Sequence, residues 1–202
     1  MTTIAQRLHT ADYINQLNFD YIETYSLQRG PVYEAHMEAW EKEYEPLRLR
    51  RENGKDLSAE EIARLRELSA MKENGQYLIN EKGKFHFSCT RTHTFQHHDP
   101  KVDWLKQILN TAVTQIPRFL CGPDYRDAIV FYRADGTVVS CLNVCLSCMY
   151  MEIGPDQHLN GDWETYDLLK KFFIEMGHEV ENPHHFMMDE IRKMKVKQNK
   201  PR

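Results

Sequence analysis

The densest group of reactive side chains is Cys141-Leu-Asn-Val-Cys145-Leu-Ser-Cys148, with Cys121 upstream in Phe119-Leu-Cys-Gly-Pro123. Thiolates bind zinc tetrahedrally, and two of them separated by two residues grip one ion from a tight turn. A structural zinc site of this kind takes Cys121, Cys145 and Cys148, with Cys141 or His158 as the fourth ligand, so the cofactor is either zinc or none. The demand on the backbone is severe. In a straight strand, residues three apart point to opposite faces, so Cys145 and Cys148 converge only if the chain turns at Leu146-Ser147. No glycine follows Cys148 to ease that turn; Met149 does. Two other readings stand beside zinc. Buried cysteine behaves as a small hydrophobe that packs under helices, and redox chemistry requires a thiol beside a cation or a helix N-terminus.

Histidine offers a second possibility. His93 and His97 lie four apart with His98 and Asp99 beside them, which on a helix puts two imidazoles on one face. A Cys-His nucleophile is also compatible with the sequence, pairing Cys89 or Cys121 with His93 or His97. His184-His185 reads more simply as a surface pair. The phosphate loop, the Gly-x-Gly-x-x-Gly turn, the Gly-x-Ser-x-Gly elbow and the His-Glu-x-x-His pair are all missing from the chain.

The positioning elements follow from hydrophobic period and punctuation. Ile4, Leu8, Ile14 and Leu17 predict a short helix over 3–17, followed by a loop that closes at Gly30. Pro31 opens a helix to about Arg51, with Val32, Tyr33, Met37, Trp40 and Tyr44 on one stripe and Pro46 bending or ending it. Ser58-Ala-Glu-Glu61 is a capping box for a third helix, so 31–74 predicts a charged antiparallel helical arm ending at Asn74-Gly75. From Gln76 the period changes to two. A β-hairpin is expected over 76–90, turning at 80–83, with Phe85 and Phe87 on one face, and then a loop through 91–98. Asp99-Pro100 starts a helix that runs toward Pro117, with Asp99 as N-cap. A second hairpin runs over 127–146 about Asp135-Gly136, pairing Val130 with Cys141 and Tyr132 with Val139. The final helix buries Trp163, Tyr166, Leu169, Phe172 and Phe173 and stops at Gly177.

These elements predict an α+β fold: an antiparallel sheet of two hairpins covered by helices, with an N-terminal charged helical hairpin. Residues 1–190 read as one domain, with 31–74 as the arm, 76–177 as a hairpin–helix–hairpin–helix core, and 191–202 as a basic, disordered tail. At 202 residues and 41% hydrophobic composition the chain is long enough for a packed core. A net charge of −4 gives no surplus of cations for general nucleic-acid binding. The start of the chain lacks a signal-peptide pattern and no window is apolar enough for a membrane span, so a cytoplasmic location is expected. An odd set of five cysteines in a chain of this size predicts free thiols or metal ligands rather than a disulfide framework.

The run from Cys121 through Asp127-Ala-Ile-Val-Phe-Tyr, Asp135-Gly-Thr-Val-Val, Val144-Cys-Leu-Ser-Cys148 and Leu168-Leu-Lys-Lys-Phe-Phe173 to Gly177 resembles a loose set of uncharacterised bacterial proteins. They pair an apolar hairpin ending in Cys-x-x-Cys with an aromatic helix. Leu146 stands where those proteins carry an aromatic. The resemblance implies a bacterial origin and brings no activity. The functional expectation is a non-enzymatic cytoplasmic protein that binds another macromolecule, a protein partner rather than nucleic acid or membrane. A zinc- or thiol-dependent protein and a Cys-His enzyme are the alternatives.

Overall fold

A computed structural model describes residues 8–71, 77–118 and 121–198. The expectations for residues 3–7, the Asn74-Gly75 turn with Gln76, Phe119 and the last four residues of the basic tail lie outside the described residues. In chain order the elements are β1 (Leu8–His9), α1 (Thr10–Gln16), β2 (Tyr21–Leu27), α2 (Gly30–Glu52), α3 (Ala59–Met71), β3 (Cys89–Gln96), α4 (Pro100–Leu109), β4 (Asp127–Tyr132), β5 (Val138–Cys145), β6 (Tyr150–Glu152), β7 (His158–Asn160), α5 (Trp163–Glu175) and α6 (Met187–Gln198). The chain divides into two compact units, Met1–Ser26 with Arg91–Arg202, and Leu27–Thr90.

The first unit is organised by a seven-stranded sheet in the order β1-β7-β6-β5-β4-β2-β3. β1 runs parallel to β7, whereas the β2–β4, β4–β5, β5–β6 and β6–β7 pairs are antiparallel. The α+β class therefore holds, but the sheet is mixed and is not built from two hairpins. β4 to β7 form a meander, and β2, expected to be a loop, is inserted beside β4. The β2 sequence Tyr-Ile-Glu-Thr-Tyr-Ser-Leu alternates, putting Ile22 and Thr24 on one face and Glu23 and Tyr25 on the other. The expected pairing of Val130 with Cys141 is present, and a bulge between Phe131 and Tyr132 shifts the next partner of Tyr132 from Val139 to Val138.

One face of the sheet carries the core. Ile22, Ile129, Phe131, Leu142, Val144 and Met151 pack there against Ile14 of α1, Leu105 and Ile108 of α4, and Leu169, Phe172 and Phe173 of α5. The helix ends follow the sequence signals. The Asp99 side chain accepts from the Lys101 amide at 2.8 Å, Asp162 and Thr165 form a capping box on α5, and Gly177 takes φ +74° at its C-terminus. α6 corrects the expectation of a wholly disordered tail. Its first turn is fixed by Asp167, whose carboxylate accepts from the Met187 and Met188 amides at 3.0 and 2.7 Å, so residues 191–198 continue a nucleated helix.

The second unit holds α2 and α3 as an antiparallel pair. The Trp40 indole donates to the Leu68 carbonyl, Glu43 pairs with Arg64 and Glu61 with Arg50, the order reversing along the two helices. Ser58 and Glu61 exchange the expected capping-box bonds. α2 does not end at Pro46 but runs through it; the solvent-facing surface there leaves the carbonyl that proline cannot satisfy open to water. The hairpin expected over 76–90 is reduced to one bridge, Ile79 to Phe85, around an Asn80 whose side chain accepts from the Lys82 and Lys84 amides. Its burial is also out of phase. His86 and Ser88 are buried and Phe85 is exposed, because the His86 ring bonds the Ser88 amide and hydroxyl and so enters the interior satisfied.

Candidate functional site

The chain does turn after Val144. β5 ends at Cys145, the next four residues form the turn, Met149 takes φ +50°, and Cys145 faces Tyr150 across the β5–β6 pair. The turn serves a covalent bond: Cys148 is joined to Cys121 in a disulfide. That corrects the expectation of free thiols or metal ligands for two of the five cysteines. The loop from Cys121 lies along the turn, with the Asp124 amide donating to the Cys145 sulfur at 3.3 Å, and Cys145 also 3.4 Å from the Ser147 hydroxyl. Cys141 sits in β5 beside Asn143, and burial pushes its thiol up to about 12. His158 is on β7 with Nδ1 2.6 Å from the buried Glu152 carboxylate. Of the five residues expected as zinc ligands, Cys121 and Cys148 are joined to each other while Cys141, Cys145 and His158 lie beside other groups, and no group of three or more His, Cys, Asp or Glu side chains able to hold a metal ion occurs among the described residues.

The histidines of the 91–98 segment are dispersed as well. His93 stacks on Phe95, while His97 packs on Phe19 and lies 3.0 Å from the Lys106 amine. Cys89 has its thiol raised by burial, the opposite of what a nucleophile needs, and Cys121 is spent in the disulfide. None of the expected Cys-His pairs is hydrogen-bonded.

The feature missed from the sequence is β3, Cys-Thr-Arg-Thr-His-Thr-Phe-Gln, which was expected to be mainly loop. Only Phe95 in this strand packs against the core, so hydrophobic burial is a weak reason for it to be ordered. Its polar side chains supply the reason. On one face Thr92 lies 2.7 Å from the Thr24 hydroxyl of β2 and 2.9 Å from Nε2 of His178, whose Nδ1 is 2.8 Å from the Asp127 carboxylate. The His178 side chain is fully buried and that of Asp127 nearly so. His178 is delivered there by the Gly177 reversal at the end of α5 and stacks on Phe173.

Glu23 anchors β3 through a second set of bonds. Its carboxylate accepts from the Tyr25 hydroxyl at 2.5 Å, from the Arg91 guanidinium at 2.7 Å and from the Thr94 hydroxyl at 3.3 Å. Burial alone raises this carboxyl, but the bonds from Tyr25, Arg91 and Tyr132 outweigh it and hold Glu23 below the usual carboxylate range. Burial, with the nearby Glu23 charge, pushes the Tyr132 phenol up to about 12, so it remains a protonated donor.

Asp127, His178 and Thr92 stand in the carboxylate–imidazole–hydroxyl order of a hydrolytic relay. Here the line ends in the sheet. The Thr92 hydroxyl is engaged on its far side by Thr24, so the relay ties β2, β3, β4 and the end of α5 together. Buried polar groups bonded in this way fix one arrangement of the chain, because any other leaves a group unpaired in a poorly solvated place. Both sets converge on the same strand, and β3 is the last in the sheet. Of its residues in the first unit, Arg91, His93, Thr94 and Gln96 are exposed.

No family model, curated protein or solved structure matches the chain. Among the described residues no helix is long and apolar enough to cross a membrane.

Proposed function

We propose that this chain is a binding protein that captures an extended segment of a protein partner by adding it as a strand to the outer edge of β3, over Arg91–Gln96. The observation that carries the reading is the anchoring of an exposed terminal strand by buried Glu23, Asp127 and His178. An edge strand presents a row of backbone donors and acceptors, and proteins ordinarily blunt it with lysine, proline or a covering element. This edge has neither lysine nor proline, and its one arginine is paired with Glu23. Holding such a strand rigid lowers the ordering entropy that a partner segment has to overcome, which is how strand addition gains affinity from main-chain bonds.

The test places a photo-cross-linking residue at His93 and asks which segment of a captured partner is joined to it, with His93→Pro and Thr94→Pro as separate variants. Successive residues direct their amides to opposite sides of a strand, so one of the two substitutions removes an outward donor. The expected result is cross-links confined to an extended partner segment, protection of the 91–96 amides in the complex, and loss of capture in one proline variant that keeps its melting temperature. Capture unchanged in both variants, or outward amides of 91–96 that already exchange slowly in the isolated chain, overturns the reading.

A further inference from the structure

A cavity of about 260 Å³ opens at the other end of the sheet, between residues 116–118, the β6 and β7 strands, and Tyr166 of α5. Its apolar wall is made by Ile116, Met151 and Leu159, and its polar lining includes Arg118, His158, Asn160 and Tyr166. Two of these polar side chains belong to largely buried residues, and their polar atoms open to solvent at the cavity. Tyr166 is 4% exposed and Asn160 is 9% exposed, yet neither side chain makes a hydrogen bond within the described residues. Two such groups lining one cavity offer a ligand a hydroxyl and an amide that no described protein group takes up.

The chemistry of the lining selects the ligand. Arg118 forms no ion pair among the described residues and offers two parallel N–H donors, the fork that matches a carboxylate. Burial holds the Tyr166 phenol far above its usual range, so it faces the cavity as a neutral donor. Asn160 adds an amide. His158 lines the cavity with its Nδ1 2.6 Å from the buried Glu152 carboxylate. The lining is rich in donors, holds one permanent cation and has an apolar wall. A phosphate dianion finds one fixed charge and wastes the wall; a monocarboxylate with a compact hydrocarbon body uses both.

From this juxtaposition we infer that the cavity of Arg118, His158, Asn160 and Tyr166 is a binding site for a small monocarboxylate, its carboxylate on Arg118 and Tyr166 and its apolar body against Met151 and Leu159. The site is separate from the β3 edge and stands whether or not that edge binds a partner.

The experiment titrates the whole chain with benzoate, 4-methylpentanoate and inorganic phosphate, read by calorimetry and by the amide signals of residues 150–160. The expected result is saturable binding of at least one monocarboxylate with Kd below about 1 mM, and phosphate weaker by roughly tenfold or more. Tyr166→Phe removes a hydroxyl that no protein group uses, so it leaves the melting temperature unchanged and weakens the carboxylate by about tenfold, the ratio expected for one bond to a charged group. Arg118→Lys weakens it similarly through loss of the fork, and Arg118→Ala weakens it further. Three outcomes overturn the inference: no saturation by either acid at about 10 mM, phosphate binding as tightly as the acids, or carboxylate affinity unchanged in both Tyr166→Phe and Arg118→Ala.

Discussion

Thr92→Val is the substitution that most directly tests whether β3 is held by its polar anchors. Valine keeps the shape and the strand preference of threonine and removes one hydroxyl. In the fold that hydroxyl lies 2.9 Å from Nε2 of His178 and 2.7 Å from the Thr24 hydroxyl. Thr24 sits in β2 and can rotate its hydroxyl toward another acceptor, but the His178 ring is fixed by Asp127 and by stacking on Phe173, so its Nε2 is left unmet in the interior. One buried polar group without a partner costs about 1–3 kcal/mol, which makes β3 amides exchange about 5- to 150-fold faster by local opening. Thr94→Val is the control: its bond to Glu23 is long, 3.3 Å, and Thr94 is exposed, so the expected effect is within about 0.5 kcal/mol, roughly a factor of two. The assay is amide hydrogen exchange of those β3 residues that bond to β2, at neutral pH. If Thr92→Val and Thr94→Val accelerate exchange by the same factor, the buried relay does not hold the strand and the reason given for β3 fails.

Two further outcomes follow from the same geometry. Because Glu23 is depressed in the fold, its contribution is present in full above the unfolded carboxylate range near about pH 4.3 and is lost as pH falls through the lower folded value; opening of β3, followed by exchange or NMR, therefore increases in acid, and Arg91→Ala moves that onset to higher pH. The Cys121–Cys148 bond spans 27 residues, a loop whose closure entropy is worth about 3.5 kcal/mol in the chain-entropy account, so Cys148→Ser lowers the urea midpoint of the first unit, and alkylation of the denatured, unreduced chain labels Cys89, Cys141 and Cys145 alone. Labelling of all five without reductant contradicts the assignment.

The parts of the fold that were legible in the sequence are those whose signal is local. The caps at Ser58, Asp99 and Gly177, the Asp135-Gly136 turn and the pairing of Val130 with Cys141 each follow from residues within a few positions of one another. A carboxylate beside unpaired amides, or a glycine at positive φ, needs nothing from the rest of the chain to favour its structure. The hydrophobic stripes of α4 and α5 likewise declared their buried faces, since a helix exposes its periodicity in sequence.

What depended on distant partners was hidden. β3 reads as a polar loop because its order comes from Glu23, 68 residues before Arg91, from His178, 86 residues after Thr92, and from Asp127, 51 residues before His178. The cysteine spacing left a turn as the condition for Cys145 and Cys148 to converge; the chain does turn there, but which sulfur Cys148 meets was decided by the loop carrying Cys121. The sequence by itself determined the helices α2 to α5 and where the β4–β5 hairpin reverses. Only the tertiary structure decided that a strand of threonines closes the sheet and that Asn160 and Tyr166 share a cavity, because a polar side chain acquires its role from the partner it meets across space, and spacing along the chain carries no record of that meeting.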